Sequence, residues 1–245
     1  MSADSGIALN RFGLGARPDE PLPRDARGHL LGQLEGFEPA PAALAGAPRS
    51  GQVVAAYARF RAQRRDQAQQ RQQGGQQAAV RFEGQGWHVA AVGARINAAL
   101  DTTTPMVERL VHFWANHFAV SVDKQALVGL AGPFEFEAIR PHVLGRFRDL
   151  LFAVESHPAM LLYLDQAQSV GPASPLARRA GQRAGSQRAI GLNENLAREI
   201  LELHTLGVRS GYSQEDVTEF ARALTGWTVA GLGRGTDAGQ GDGFV

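Results

Sequence analysis

Apolar residues recur at helical spacing along most of this chain. Between 105 and 120 they fall at Val107, Leu110, Val111, Trp114 and Phe118, the repeat of a helix with one apolar face. Thr104 is placed to cap that segment, and Pro105 suits the first helical position, where its missing N–H costs nothing. Leu196, Ile200 and Leu203 mark a second helix over 194–206, with Asn193 as its cap and Gly207 placed to end it in the left-handed conformation. Ser213 and Asp216 have capping-box spacing at the head of a helix over 214–225. Val217, Phe220, Ala221 and Leu224 form its apolar face, Gly226 ends it, and Trp227 is expected to pack back over that end.

The same pattern, read more coarsely, predicts the remaining elements. Residues 6–16 form a short apolar helix or turn around Ile7, Leu9 and Phe12, and 24–36 an amphipathic helix with Leu30, Leu31 and Leu34 on one side. The proline-containing stretch 37–50 reads as a connector. Residues 52–82 predict a long exposed helix interrupted near Gly74-Gly75, because Arg59 to Arg81 is almost all Arg, Gln and Ala, good helix formers, with Asp66 its sole acid. Val89, Val92, Ile96 and Leu100 resume an apolar stripe over 87–100. Residues 124–139 read as helix broken near Gly132-Pro133; Pro141 starts a segment through Leu151, and Pro158 one through Asp165. A long loop over 166–190 follows. No strand-like alternation occurs upstream of 227, although Thr228-Val229 can begin a strand, and neither a fixed repeat nor a sustained heptad is present. The expected fold is all-α, a multi-helix orthogonal array.

Composition narrows the function classes only slightly. Without cysteine, the chain can have no disulfide, thiolate metal site or cysteine nucleophile. The formal net charge of +1 provides no global field for nucleic acid or membranes. No apolar run is long enough to span a bilayer. The first dozen residues lack a signal-peptide pattern, which points to the cytoplasm, with export as the alternative. The Gly-rich end, Gly239-Gln240-Gly241-Asp242-Gly243-Phe244-Val245, reads as the start of another element. Residues 1–227 are therefore expected to be a helical domain and 228–245 the beginning of a C-terminal half that is missing.

Two predicted helices carry more carboxylate, amide and imidazole than packing requires. Glu108, His112 and Asn116 follow one another at i, i+4, i+8 along one face, with His117 on another. A Glu and a His one turn apart can share a metal or pass a proton, or simply form a polar pair where helices cross. Asn195, Glu199 and Glu202 share a face of helix 194–206, and Arg198 can reach Glu194 and Glu202. His204 is read as a C-terminal cap, where a cation meets the negative end of the helix dipole. In the loop, Arg178, Arg179, Arg183 and Arg188 have no acidic neighbour. Feeding the helix end at Asn193, they form a candidate anion site or a solvated loop. The Arg/Gln stretch 59–81 reads as a solvated helix; its few aromatics (Tyr57, Phe60, Phe82) give no specific nucleic-acid signal.

Several segments resemble the bacterial DUF1800 family, whose function is unknown. They are Leu9 to Gly15, Glu108 to Phe118, the loop Gln168 to Pro172, and the whole of 191–227. The resemblance implies a mostly helical fold and a further C-terminal half that contains a His-Asp segment. It carries over neither an activity nor a catalytic residue. Family genes often neighbour those of a second uncharacterised family, DUF1501, which implies that family as a candidate partner.

Three readings follow. In the first, helices 105–120 and 194–206 face each other and bring Glu108, His112 and Asn116 towards Asn195, Glu199 and Glu202. That cleft would do acid–base or metal-assisted hydrolytic chemistry. In the second, the arginine loop and Asn193 form a non-catalytic module that holds an anionic polymer or partner protein. In the third, the polar groups are a buried network that fixes helix register. The cofactor and the metal are left unassigned.

Overall fold

The computed structural model describes residues 3–18, 20–72, 79–175, 177–178 and 191–232. Among these residues the fold is all-α. Val229 makes an isolated bridge and no strand is formed. The elements are α1 (Ala3–Ile7), α2 (Ala26–Glu35), α3 (Ser50–Gln72), α4 (Gly84–Asp101), α5 (Pro105–His117), α6 (Gln125–Val128), α7 (Ala131–Pro133), α8 (Phe147–Ser156), α9 (Pro158–Tyr163), α10 (Asn195–Glu199) and α11 (Gln214–Ala223). Three of them run on as π-helical turns: α1 through Ala8–Phe12, α7 through Phe134–Ile139, and α10 through Ile200–Thr205. None of the described helices is long and apolar enough to cross a membrane.

The predicted punctuation is present at most helix ends. The Ser213–Asp216 capping box closes in both directions. Gly207 and Gly226 take φ of +94° and +101°, a region in which a Cβ would be strained. Asn193 accepts the backbone N–H of Asn195. Thr104 is the exception, because its side chain makes no cap bond to α5. That bond comes from across the fold, where Gln33 of α2 accepts the Met106 N–H at 2.7 Å. Gln33 is therefore buried, while Leu31 and Leu34, the expected core face, are exposed.

Two breaks fall elsewhere than the sequence suggests. The helix over 124–139 is interrupted at Gly129-Leu130, and Gly132-Pro133 lies within α7. Pro133 falls in the first turn, where no donor is needed. Pro141 sits in a single 3-10 turn (Arg140–His142), and the following helix starts only at Phe147.

Val107, Val111 and Phe118 of α5, with Leu150, Val154, Met160, Leu161, Leu196 and Val217, form the continuous core. The packing face of α4 is also not the predicted one. Gly84, Ala91 and Ala98 point inward, whereas Val89, Val92, Ile96 and Leu100 are exposed. Small residues are needed there because α7 lies close by. A Cβ on Gly132 would stand 2.4 Å from the Ala91 Cβ. This close approach sets the floor of the site described next.

Candidate functional site

Glu108 and His112 lie one turn apart on α5, as their spacing requires, with His112 Nε2 3.7 Å from Glu108 Oε1. Glu108 has no exposed surface, and its main partner is Arg140, whose Nη1 donates to Oε1 at 2.6 Å. Arg140 is equally buried; it donates from Nε to the Pro39 carbonyl and lies over the Phe37 ring. The two charges neutralise each other inside the fold.

His112 is only half buried. Its Nε2 is shut off from solvent and lacks a hydrogen-bond partner, whereas Nδ1 is open. The ring lines a pocket of about 310 Å³ with Asn116, with His88 and Arg95 of α4, and with Glu135 of the π turn after α7. Arg95 Nε donates to Glu135 Oε2 at 2.6 Å, while Glu135 Oε1 and His88 Nδ1 are buried without a partner. Burial lowers the pKa of His112, and the nearby Arg95 and Arg140 lower it further against the opposing pull of Glu108. The imidazole is therefore neutral at neutral pH. Burial raises the pKa of Glu135 despite Arg95. Among the described residues, no three His, Asp or Glu side chains stand close enough together to hold a metal ion.

The other half of the expected cleft is not at this pocket, since no residue of α10 or its π extension lines it. Asn195 is exposed and donates its backbone N–H to Asn193. Glu202 pairs with Arg198 at 3.4 Å, in a network through which Arg198, Gln214 and Thr218 engage Glu194. Glu199 lies near Glu155 electrostatically but not near His112. The physical reason is the π turn. Its i→i+5 bonds begin at Ile200, so the 3.6-residue face does not continue to Glu202.

α5 does meet the π extension of α10, but at its far end. His117 Nε2 lies 3.5 Å from the His204 carbonyl oxygen, and the His204 ring packs against Phe118. His204 is not the expected C-terminal cap. It is buried with Nδ1 2.7 Å from Glu155 Oε1, at an angle that leaves neither atom a well-directed hydrogen bond. Burial pushes the Glu155 pKa up, although His204 opposes it.

A third buried group ties the start of α3 to the rest of the fold. Glu137 accepts from the Ser50 N–H and hydroxyl at 3.0 and 2.5 Å, and His157 Nε2 lies 3.6 Å away.

In the anion-site candidate, Arg179 and Arg183 lie outside the described residues, as does Arg188. Arg178 donates to the Ala173 carbonyl. Asn193 is a loop anchor: Nδ2 donates to the Leu164 carbonyl and its own N–H donates to Ser169.

Sequence reasoning missed Arg95, Glu135, Arg140, His88 and Glu155. A usable signal was present for three of them. Glu135 and Arg140 are charges inside the apolar run Phe134 to Ile139-Arg140, and Glu155 follows the apolar positions Leu150 and Val154 of α8. A charge in such a place must be paired.

No curated protein and no solved structure matches the chain. The sequence model of one family, described as "Protein of unknown function (DUF1800)", matches residues 7–245. With that match spanning nearly its whole length, on top of the helical fold, the chain belongs to the DUF1800 family.

Proposed function

We propose that the pocket beside α5 is a site of acid–base, hydrolytic chemistry centred on His112. One observation carries this reading: a neutral, half-buried imidazole has its inner nitrogen against a buried carboxylate and its outer nitrogen open on a polar pocket. That is the arrangement of a general base with its orienting group. Glu108 is then a positioning residue, with Arg140 holding it in place. The 3.7 Å separation suits an unliganded site, where such contacts are often long. In the reaction, Nδ1 takes a proton from water as its oxygen attacks an electrophilic centre, and returns the proton to the leaving group. Asn116 and the outer edge of Arg95 supply donors for a carbonyl or acidic oxygen of the substrate.

The test is a screen of chromogenic esters, amides, phosphoesters and glycosides, followed by His112→Asn on any substrate that turns over. Loss of the base lowers kcat by about 10²–10⁴-fold. In the wild-type protein, turnover falls in acid, as the pH drops through a His112 pKa that lies below the ordinary 6.5. Turnover that is indifferent to His112→Asn sinks the reading.

A further inference from the structure

A groove of about 1180 Å³ lies beside α3, sharing only Phe136 with the His112 pocket. It is lined by the Arg/Gln segment that the sequence reading takes for a solvated helix. Arg49, Arg59 and Arg81 contribute to its wall, as do the rings of Phe60, Phe82 and Trp87. A smaller adjoining hollow shares Phe60 and adds Arg64 and Arg71.

Two observations give this groove a ligand chemistry. The first is uncompensated charge. Residues 49–81 hold seven arginines and one acid, Asp66. None of the seven forms an ion pair with a described residue. The acids in the groove lining are Glu83 and Glu137, and Glu137 is already engaged by Ser50 and His157. Three guanidinium forks are thus free to grip phosphate or carboxylate oxygens.

The second observation is the rings. The fold brings Phe82 and Trp87 onto α3, so that Phe60, Phe82 and Trp87 form a chain with centroids 5.8 Å apart at each step, and Tyr57 lies 5.2 Å from Phe82. Phe82 and Trp87 remain half-exposed at the groove. Each phenylalanine follows an arginine directly, Arg59-Phe60 and Arg81-Phe82, so a cation and a ring recur together twice. A cationic groove interleaved with rings is the arrangement that takes up a flexible polyanion bearing aromatic bases.

We infer that this groove binds single-stranded nucleic acid without sequence preference. Backbone phosphates lie on Arg49, Arg59 and Arg81, and a base lies against the exposed edge of the Phe82–Trp87 pair. The inference stands apart from the His112 chemistry, and its test reads binding alone.

Fluorescence anisotropy of the full chain with a labelled oligothymidylate of about 20 nucleotides measures it. Three phosphate contacts predict a slope of about −2 for log K against log salt, a roughly twentyfold loss between about 50 and 200 mM salt. Arg59 and Arg81 are exposed, so Arg59→Ala with Arg81→Ala leaves the fold intact, which a melting curve verifies. The double variant binds about tenfold more weakly, with a slope nearer −0.7. An abasic oligomer of the same length binds about tenfold more weakly than the thymidylate, because it has no base to stack. The proposal is overturned by no binding at the lower salt, or by unchanged binding in the double variant. Equal binding of the abasic strand also overturns it, as does displacement by polyglutamate or hyaluronate at equal charge; either marks a groove for acidic polymers at large.

Discussion

Glu108 shows how much a single position can leave open in sequence. Its spacing to His112 is legible, and the two are indeed neighbours. Its decisive partner, Arg140, is 32 residues away and meets it only because the turn after α7 packs against α5. With both side chains fully buried, removing one charge strands the other away from water. Glu108→Gln is therefore expected to destabilise the fold by about 3 kcal/mol, measured by denaturant unfolding. A loss below about 1 kcal/mol would show that the pair does not hold the fold. His204 teaches the same lesson in reverse. Its place near a helix end suggests a cap, but burial beside Glu155 makes it part of the interior.

At the scale of elements, helix existence was readable almost throughout, because apolar periodicity and caps are local. Helix ends that borrow a partner were not. The head of α5 is capped by Gln33, a residue with no local reason to be buried. Gln33→Ala leaves the Met106 N–H unpaired and is expected to cost about 1–2 kcal/mol, whereas Thr104→Ala, which removes no cap bond to α5, costs less. Thermal melts of the two variants decide between the caps, and an equal or larger loss for Thr104→Ala rejects this assignment. The π turns are the other element-scale surprise. They carry Glu135, Glu137 and His204, three of the buried polar groups, and an extra residue per turn is invisible to a 3.6-residue template.

At the scale of the molecule, Glu137 joins the head of α3, the π turn after α7 and the α8–α9 junction through Ser50 and His157. Burial raises the Glu137 pKa, but hydrogen bonds from His157 and Ser50 outweigh it and hold the carboxyl below its usual range. Burial lowers the pKa of His157, which is neutral in the folded protein, although Glu137 opposes that shift. Both groups have depressed folded values, so both contribute stability that is present above their unfolded values. That stability drains as pH falls, first through His157 and then through Glu137. Glu137→Gln should therefore lower Tm more near neutral pH than below the carboxylate range. The same Tm gap at both pH values counts against the linkage. The raised pKa of Glu155 acts in the opposite sense, since its strain is relieved as it protonates in acid. The variant comparison at Glu137 isolates one group from the other.

The sequence by itself determined the all-α class, the position of nearly every helix, the left-handed stops at Gly207 and Gly226, the Ser213 capping box and the family. These are products of local chemistry or of long matched stretches, and a chain carries them wherever it folds. Only the tertiary structure decided which face of a helix is inside. On α4 the aliphatic stripe Val89 to Leu100 lost to Ala91 and Ala98, because Gly132 brings a second backbone too close for larger side chains. It also decided which polar groups meet. His112 and Asn116 were visible as candidates, but Arg95 and Glu135 joined them instead of Glu199 and Glu202, since packing, not periodicity, sets where two helices cross.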